Sequence, residues 1–318
     1  MIYISLLVHE NKYAAIDTIR NFLKYVPNST IVLHISKNAN FKSDQIRELL
    51  INKAVADRVV INTEPVCTEW GNIIAAHISN IKCINSICSD RTSKVVFHSS
   101  GDMLVRLGAE SYIENNEFIY HTRIYEQPGY WWPSHVALSD CILMHSLQRF
   151  SMKFIVASQI EGASYPLEVL LNVLKLLEKD EILNCSKGFY PREEIYFSSF
   201  VYGMGYSSLG DPYIYSEVHR FDSKLWKIFR TLDSEDNFLL YFLRHKKGII
   251  DKLYKKYGKY RITERDVNLI LSNNPEPVEV FDCGKVWRPY LSPEKIFGVK
   301  RVERTLNNDL RNYINKLN

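Results

Sequence analysis

No run of about 18 apolar residues occurs in this chain, so no helical membrane span is expected. The N-terminus lacks the basic flank, apolar core and cleavage site of a leader. Instead Met1-Ile2-Tyr3-Ile4-Ser5-Leu6-Leu7-Val8 runs straight into His9-Glu10-Asn11 and reads as a buried first strand. Cysteine is sparse: Cys67, Cys83, Cys88, Cys141, Cys185 and Cys283 fit neither zinc spacing nor a compact disulfide framework, so reduced thiols in a cytosolic setting are expected. Internal repeats and low-complexity tracts are absent. Charge of one sign is also missing: 40 Lys and Arg against 36 Asp and Glu leave +4, too little to argue for a nucleic-acid partner. What remains is a chain of 318 residues, 46% hydrophobic, long enough to bury a substantial core. We read it as a single domain, 1–318.

Apolar residues recur at helical spacing from Tyr13 to Tyr25, and Ser29–Ile35 is a β-rich run, so the first segment forms a βαβ unit of a parallel sheet. Arg58–Asn62 and Lys94–His98 supply a third and a fourth strand, separated by a helix that stops near Asn85. Gln159–Pro166 reads as a turn before a helix over Leu167–Lys179. A helical insertion is expected over about 223–275, and a C-terminal segment over about 283–318. The fold class is therefore α/β, a mostly parallel sheet flanked by helices. In such sheets ligands bind at the C-terminal strand ends, which puts His9 and the Ser36-Lys37 corner within reach of one.

The insertion carries Arg244-His245-Lys246-Lys247 and Lys252–Arg261, basic runs interleaved with Tyr and Leu. A solvated helix face, a contact with anionic lipid head groups and nucleic-acid binding are the readings of such runs, in that order. Between Glu117 and Asp140 aromatics crowd among turn residues, as a wall for sugar rings or as a loop packed on the core.

Two stretches bear on chemistry. In Tyr190-Pro191-Arg192-Glu193-Glu194-Ile195-Tyr196-Phe197, Pro191 suits a first helical position and puts two carboxylates in the first turn, ahead of an apolar run. Acidic first turns are common, so an ordinary helix start is one reading; a carboxylate held still for general-base work is the other. In the second, Ser99-Ser100-Gly101-Asp102 closes the fourth strand with a single carboxylate. No Asp-x-Asp stands there, and one carboxylate is a weak ligand set, so no metal cofactor is expected.

Taken in order, these fragments resemble the core-2/I-branching β-1,6-N-acetylglucosaminyltransferases and the related protein xylosyltransferases. Ile31–Lys37 is similar to the family strand ending His-Val-Asp-x-Lys, Trp70-Gly71 to its Trp-containing helix start, and Ser99–Asp102 to its Ser-Gly-x-Asp turn. Glu161–Tyr165 resembles the Gly-Ser-x-Trp/Tyr turn, Glu194–Ser199 the Asp-Glu-x-Phe-Phe-x-Thr motif, and Ile296–Lys300 the Leu-Phe-Ala-x-Lys motif. The resemblance implies a GT-A fold and an inverting, metal-independent transfer from a nucleotide-sugar donor, a UDP-GlcNAc or related UDP-sugar, to a saccharide hydroxyl. It implies Glu194 as base, with Glu193 second. Lys300 would bind the donor diphosphate, with Arg288 and Arg301 beside it and His9, Ser36, Lys37 and Trp70 completing the donor site. Asp102, Glu161, Ser164 and Tyr165 would face the acceptor. Ser36 departs from the pattern, standing where the family Asp contacts uracil, which leaves the base open. The setting it suits is a bacterial cytosolic enzyme of surface-polysaccharide assembly, its acceptor a glycan or lipid-linked saccharide, with the basic helices at the inner membrane face. A metal-dependent transferase using Asp102 and a catalytically silent sugar-binding protein are the alternatives.

Overall fold

A computed structural model describes residues 1–53, 55–129, 131–185, 190–219, 223, 261–282 and 285–317. Its centre is a sheet of order β3-β2-β1-β4-β8, built from β1 (Ile2–Val8), β2 (Ser29–Ile35), β3 (Val59–Ile61), β4 (Lys94–Ser99) and β8 (Ser164–Pro166). The first four strands run parallel, and β8 returns antiparallel along β4. The fold class is thus α/β with a mostly parallel sheet flanked by helices.

Strand periodicity explains the layers. Ile2, Ile4, Leu6 and Val8 point to one face, where α1 (Lys12–Tyr25) and α2 (Ser43–Asn52) bring Ile16, Ile19, Phe22, Ile46 and Leu50 against them. Tyr3 points to the other face, where α3 (Ile73–Ile87) packs with the helices Leu167–Lys179 and Tyr196–Gly203. Both faces are covered, as a parallel sheet requires. Asn11 caps α1 by accepting from the Tyr13 and Ala14 amides.

A smaller sheet of order β5-β12-β9 lies beyond the end of β4, from β5 (Met103–Leu104), β9 (Ile214–Tyr215) and β12 (Gly298–Val299). Gly298 is required between its neighbours: a Cβ there would stand 2.7 Å from the Met103 carbonyl and from Ile214. Two further pairs complete the described strands, β6 (Arg123–Tyr125) with β7 (Ile155–Ala157) and β10 (Val280–Asp282) with β11 (Lys285–Trp287).

Three local expectations change. The turn read over Gln159–Pro166 ends in β8, because Val95 and Val96 need partners on that side. The helix read from Pro191 begins as a 3-10 turn, Arg192–Glu194, and becomes α-helical at Tyr196. The aromatic stretch 117–140 contains β6 and a short helix, Pro133–Ser139. Most of the proposed insertion, with the basic runs 244–247 and 252–260, lies outside the described residues; within them Glu264–Leu271 is a helix. No described helix is long and apolar enough to cross a membrane.

Candidate active site

A cleft of about 330 Å³ opens where the C-terminal end of β4, the turn after Pro191 and the segment after β12 converge. Its lining includes the carboxylates Glu161, Glu193 and Glu194, the cations Arg123, Lys300, Arg301 and Arg304, and the tryptophans Trp70, Trp131, Trp132 and Trp287. Four of the chain's 5 tryptophans therefore meet at one place. Trp70 is 45% exposed and its ring centroid lies 5.4 Å from that of Trp132, an open aromatic face of the kind that stacks on a sugar ring.

The 3-10 turn is held by its own backbone. Ser158 donates its N–H to the Glu194 carbonyl at 2.7 Å, and the Glu194 N–H bonds the Pro191 carbonyl at 3.2 Å. Beneath it Phe197 stacks on Phe97 of β4, 5.1 Å between centroids, so the turn cannot drift from the sheet. Glu193 is 5% exposed, and its Oε2 has no hydrogen-bond partner among the described residues. Burial, with the neighbouring Glu194 charge, pushes the Glu193 carboxyl up to about 8. Burial also raises Glu194, to about 7, and here the Lys300 charge pulls the other way. One acid of the pair is thus ionisable near neutrality, the range in which a general base works best.

The cations come from the chain end. Lys300 follows β12, its N–H bonded to the Tyr215 carbonyl at 2.9 Å, and its Nζ lies 2.6 Å from Glu161 Oε2. Burial disfavours both charges, yet each holds the other ionised: Glu161 is lowered and Lys300 raised from their ordinary values. Arg301 takes the left-handed conformation, φ 62°, which a residue with a Cβ seldom adopts, and its Nη1 meets Glu217 at 2.9 Å. That reversal lets Val302 bond the Gly101 carbonyl at 2.8 Å and brings Arg304 back over the turn after β4, where its Nε donates to Ser100 Oγ at 2.9 Å. Across the cleft Arg123 pairs with Asp282 at 2.7 Å and lies 4.5 Å from the Trp287 ring centroid.

The structure brings together Glu193, Glu194, Trp70, Glu161, Lys300 and Arg301. His9 lines an adjoining chamber and pairs with Glu10 at 3.0 Å. Other expected site residues stand elsewhere. Arg288 is exposed, with Nε 2.7 Å from Glu279, and does not line the cleft. Asp102 is fully buried: it accepts from the Ser99 N–H at 2.9 Å and meets His98 Nδ1 at 3.2 Å, so its carboxylate closes the turn and does not face an acceptor. Ser164 and Tyr165 lie in the core, Tyr165 stacked on Tyr120, because β8 points them inward. Glu161 is at the site but faces Lys300. Ser36 ties the end of β2 to Thr68, whose N–H it accepts at 2.9 Å; Lys37 is exposed and gives its N–H to the Val66 carbonyl. Neither lines the cleft or the chamber.

Arg123, Arg304 and His219 line the cleft without having been singled out by the sequence. Arg304 sits four residues past Lys300, and that spacing is the one signal it carried. No group of three or more His, Cys, Asp or Glu side chains suited to a metal ion occurs among the described residues.

No family model and no curated protein matches this chain. Solved structures similar to it include the galactosyltransferase LgtC in complex with donor and acceptor sugar analogs, at 8% identity over 77% of this chain and 82% of that one, TM-score 0.37. An active-site mutant of LgtC matches at 10% identity, the same coverage and the same TM-score.

Proposed function

We propose that this cleft is the active site of a glycosyltransferase of GT-A type that moves a sugar from a nucleoside-diphosphate donor to a saccharide hydroxyl, with inversion and without a metal ion. The observation that carries the reading is a carboxylate pair raised toward neutrality in a cleft that also holds a cation cluster and a tryptophan wall. Glu194, partly ionised near neutral pH, takes the proton of the acceptor hydroxyl. The freed oxygen attacks the anomeric carbon as its bond to the diphosphate breaks, and the electron pair leaves on the diphosphate oxygen. Lys300, Arg301 and Arg304 meet that charge, and a diphosphate competes for them with Glu161, Glu217 and Ser100, to which they hydrogen-bond. Glu193, the more strongly raised carboxyl, stays protonated at neutrality and donates a hydrogen bond to the sugar. The core-2/I-branching resemblance supports the same assignment of base and diphosphate lysine, and with it an N-acetylhexosamine donor and a glycan or lipid-linked acceptor.

A metal-dependent transferase built on Asp102 finds less support, because that carboxylate is spent on Ser99 and His98. Transfer that persists in chelator is the expected result; loss of activity on chelation, restored by a divalent ion, refutes the metal-free route. Glu194→Gln separates an enzyme from a silent sugar-binding protein: turnover is expected to collapse with donor binding within a few-fold, and unchanged turnover removes the base.

A further inference from the structure

Behind Trp70 and Ile73 the cleft opens into a second chamber of about 270 Å³, whose lining includes Leu7, Thr68, His77, Ile160 and Arg304. His77 reaches it from α3 while only 2% exposed. One edge of its ring is already committed: Ser5 Oγ on β1 lies 2.9 Å from His77 Nδ1. Asn80 Nδ2, one turn further along α3, donates both its hydrogens, to Ser5 Oγ and to the Val32 carbonyl, each at 3.0 Å. Asn62 Nδ2 donates to Asn80 Oδ1 at 2.9 Å and fixes that amide's orientation.

This relay sets the tautomer. A Ser5 hydroxyl that accepts from Asn80 has one proton to give, and the acceptor within reach among the described residues is His77 Nδ1. Were His77 the donor, the Ser5 proton would be stranded without an acceptor at a position 0% exposed, which burial penalises. The imidazole proton therefore sits on Nε2. Burial, with the nearby His34 and His98, lowers the ring to about 3 and keeps it neutral. Nε2–H is the edge left for a ligand.

Charge divides the two spaces. Lys300, Arg301 and Arg123 line the main cleft alone and Arg304 lines both, whereas the second chamber adds Glu10 and Glu69 to the Glu161 and Glu193 that the two share, a lining that repels phosphate, and sets Leu7, Ile73, Ile160 and Trp70 beside His77. With a diphosphate at the cations and the sugar beside Glu194, the remaining part of the donor, its nucleoside, falls to the second chamber. We infer that this chamber takes the donor's nucleobase and that His77 Nε2–H selects an oxo base, one whose edge remote from the ribose carries a carbonyl. Uracil, thymine and guanine offer that acceptor. Cytosine and adenine turn an amino group there and set N–H against N–H. The inference rests on the reading of the main cleft as a nucleotide-sugar site.

Calorimetric titration of the full chain with UDP, GDP, CDP and ADP tests both, against the wild type, His77→Leu and Ser5→Ala. The wild type is expected to bind UDP or GDP roughly tenfold or more tighter than CDP and ADP. His77→Leu is expected to erase that preference, and Ser5→Ala to weaken it. Binding of none of the four overturns the cleft reading itself. Equal binding by the wild type, or a preference that survives in folded His77→Leu, overturns the base assignment alone. Should His77→Leu fail to fold, imidazole 15N spectra of the wild type decide: a proton on Nε2 of His77 is expected, and a proton on Nδ1 refutes the relay.

Discussion

Asp102 in the turn after β4 and Glu193 in the turn after Pro191 are both sealed from solvent, at 0% and 5% exposure, but their surroundings receive them differently. Asp102 meets an amide N–H and a histidine from residues three and four places before it, so one short segment satisfies its own charge. Glu193 has an oxygen with no hydrogen-bond partner among the described residues and a second glutamate beside it. A buried carboxylate with local donors stiffens a turn. One without them is pushed toward the neutral acid, a state that costs stability and suits proton transfer. From the sequence Glu194 was the expected base and a metal at Asp102 the alternative; the donors around Asp102, and an oxygen of Glu193 without one among the described residues, set the two turns apart.

That contrast can be broken in several ways. The largest effect is expected at the turn after Pro191: Glu194→Gln should lower kcat by about 10²–10⁴-fold, the range for a lost general base, with the melting temperature little changed. An equal loss in Asp102→Ala at preserved folding would erase the distinction. Asp102→Ala should instead cost about 3 kcal/mol of stability, since it strands the Ser99 N–H and His98, and leave the folded fraction active. Chemical denaturation read alongside specific activity checks it.

The pH dependence sharpens the same point. Activity should rise with pH through about 7 as Glu194 ionises. Because the Lys300 charge holds that carboxyl down, Lys300→Met should move the limb to higher pH and weaken nucleotide binding about tenfold. For stability the sign is opposite. Glu193 has a folded pKa of about 8 against an ordinary 4.5, so the folded chain holds a proton that the unfolded chain releases between those values, and stability is lost as pH rises across that window. Glu193→Gln should therefore raise the melting temperature at pH 8.5 and leave it nearly unchanged at pH 4.5. A larger gain at the acid end would refute the raised carboxyl. The smallest effect is reserved for Arg288→Ala: exposed and paired with Glu279, it should leave donor affinity within about twofold, as for other surface ion pairs.

β1, α1, β2, β3, α3 and β4 were legible because they rest on local periodicity, and their expected bounds fall within a few residues of those observed; the helix α2 between β2 and β3 was not read. The short strand β8 was not, since three residues that pair with β4 carry no period of their own. At the site Glu193, Glu194 and Lys300 were legible as motif residues, whereas Arg304 and the Ser5–His77–Asn80 relay were not. Ser5 is one polar residue in an apolar strand and His77 one of several polar residues in α3, and nothing in either segment says that they touch.

By itself the sequence determined the strands and helices that carry a period of their own, and that two adjacent carboxylates would stand at the mouth of a buried helix. Tertiary structure alone decided which carboxyls would be raised toward neutrality and which cations would share their cleft. A pKa depends on what is packed within a few ångströms, and here those neighbours arrive from distant parts of the chain: Arg123 from β6, Glu161 from the turn before β8, and Lys300 with Arg301 from the segment after β12.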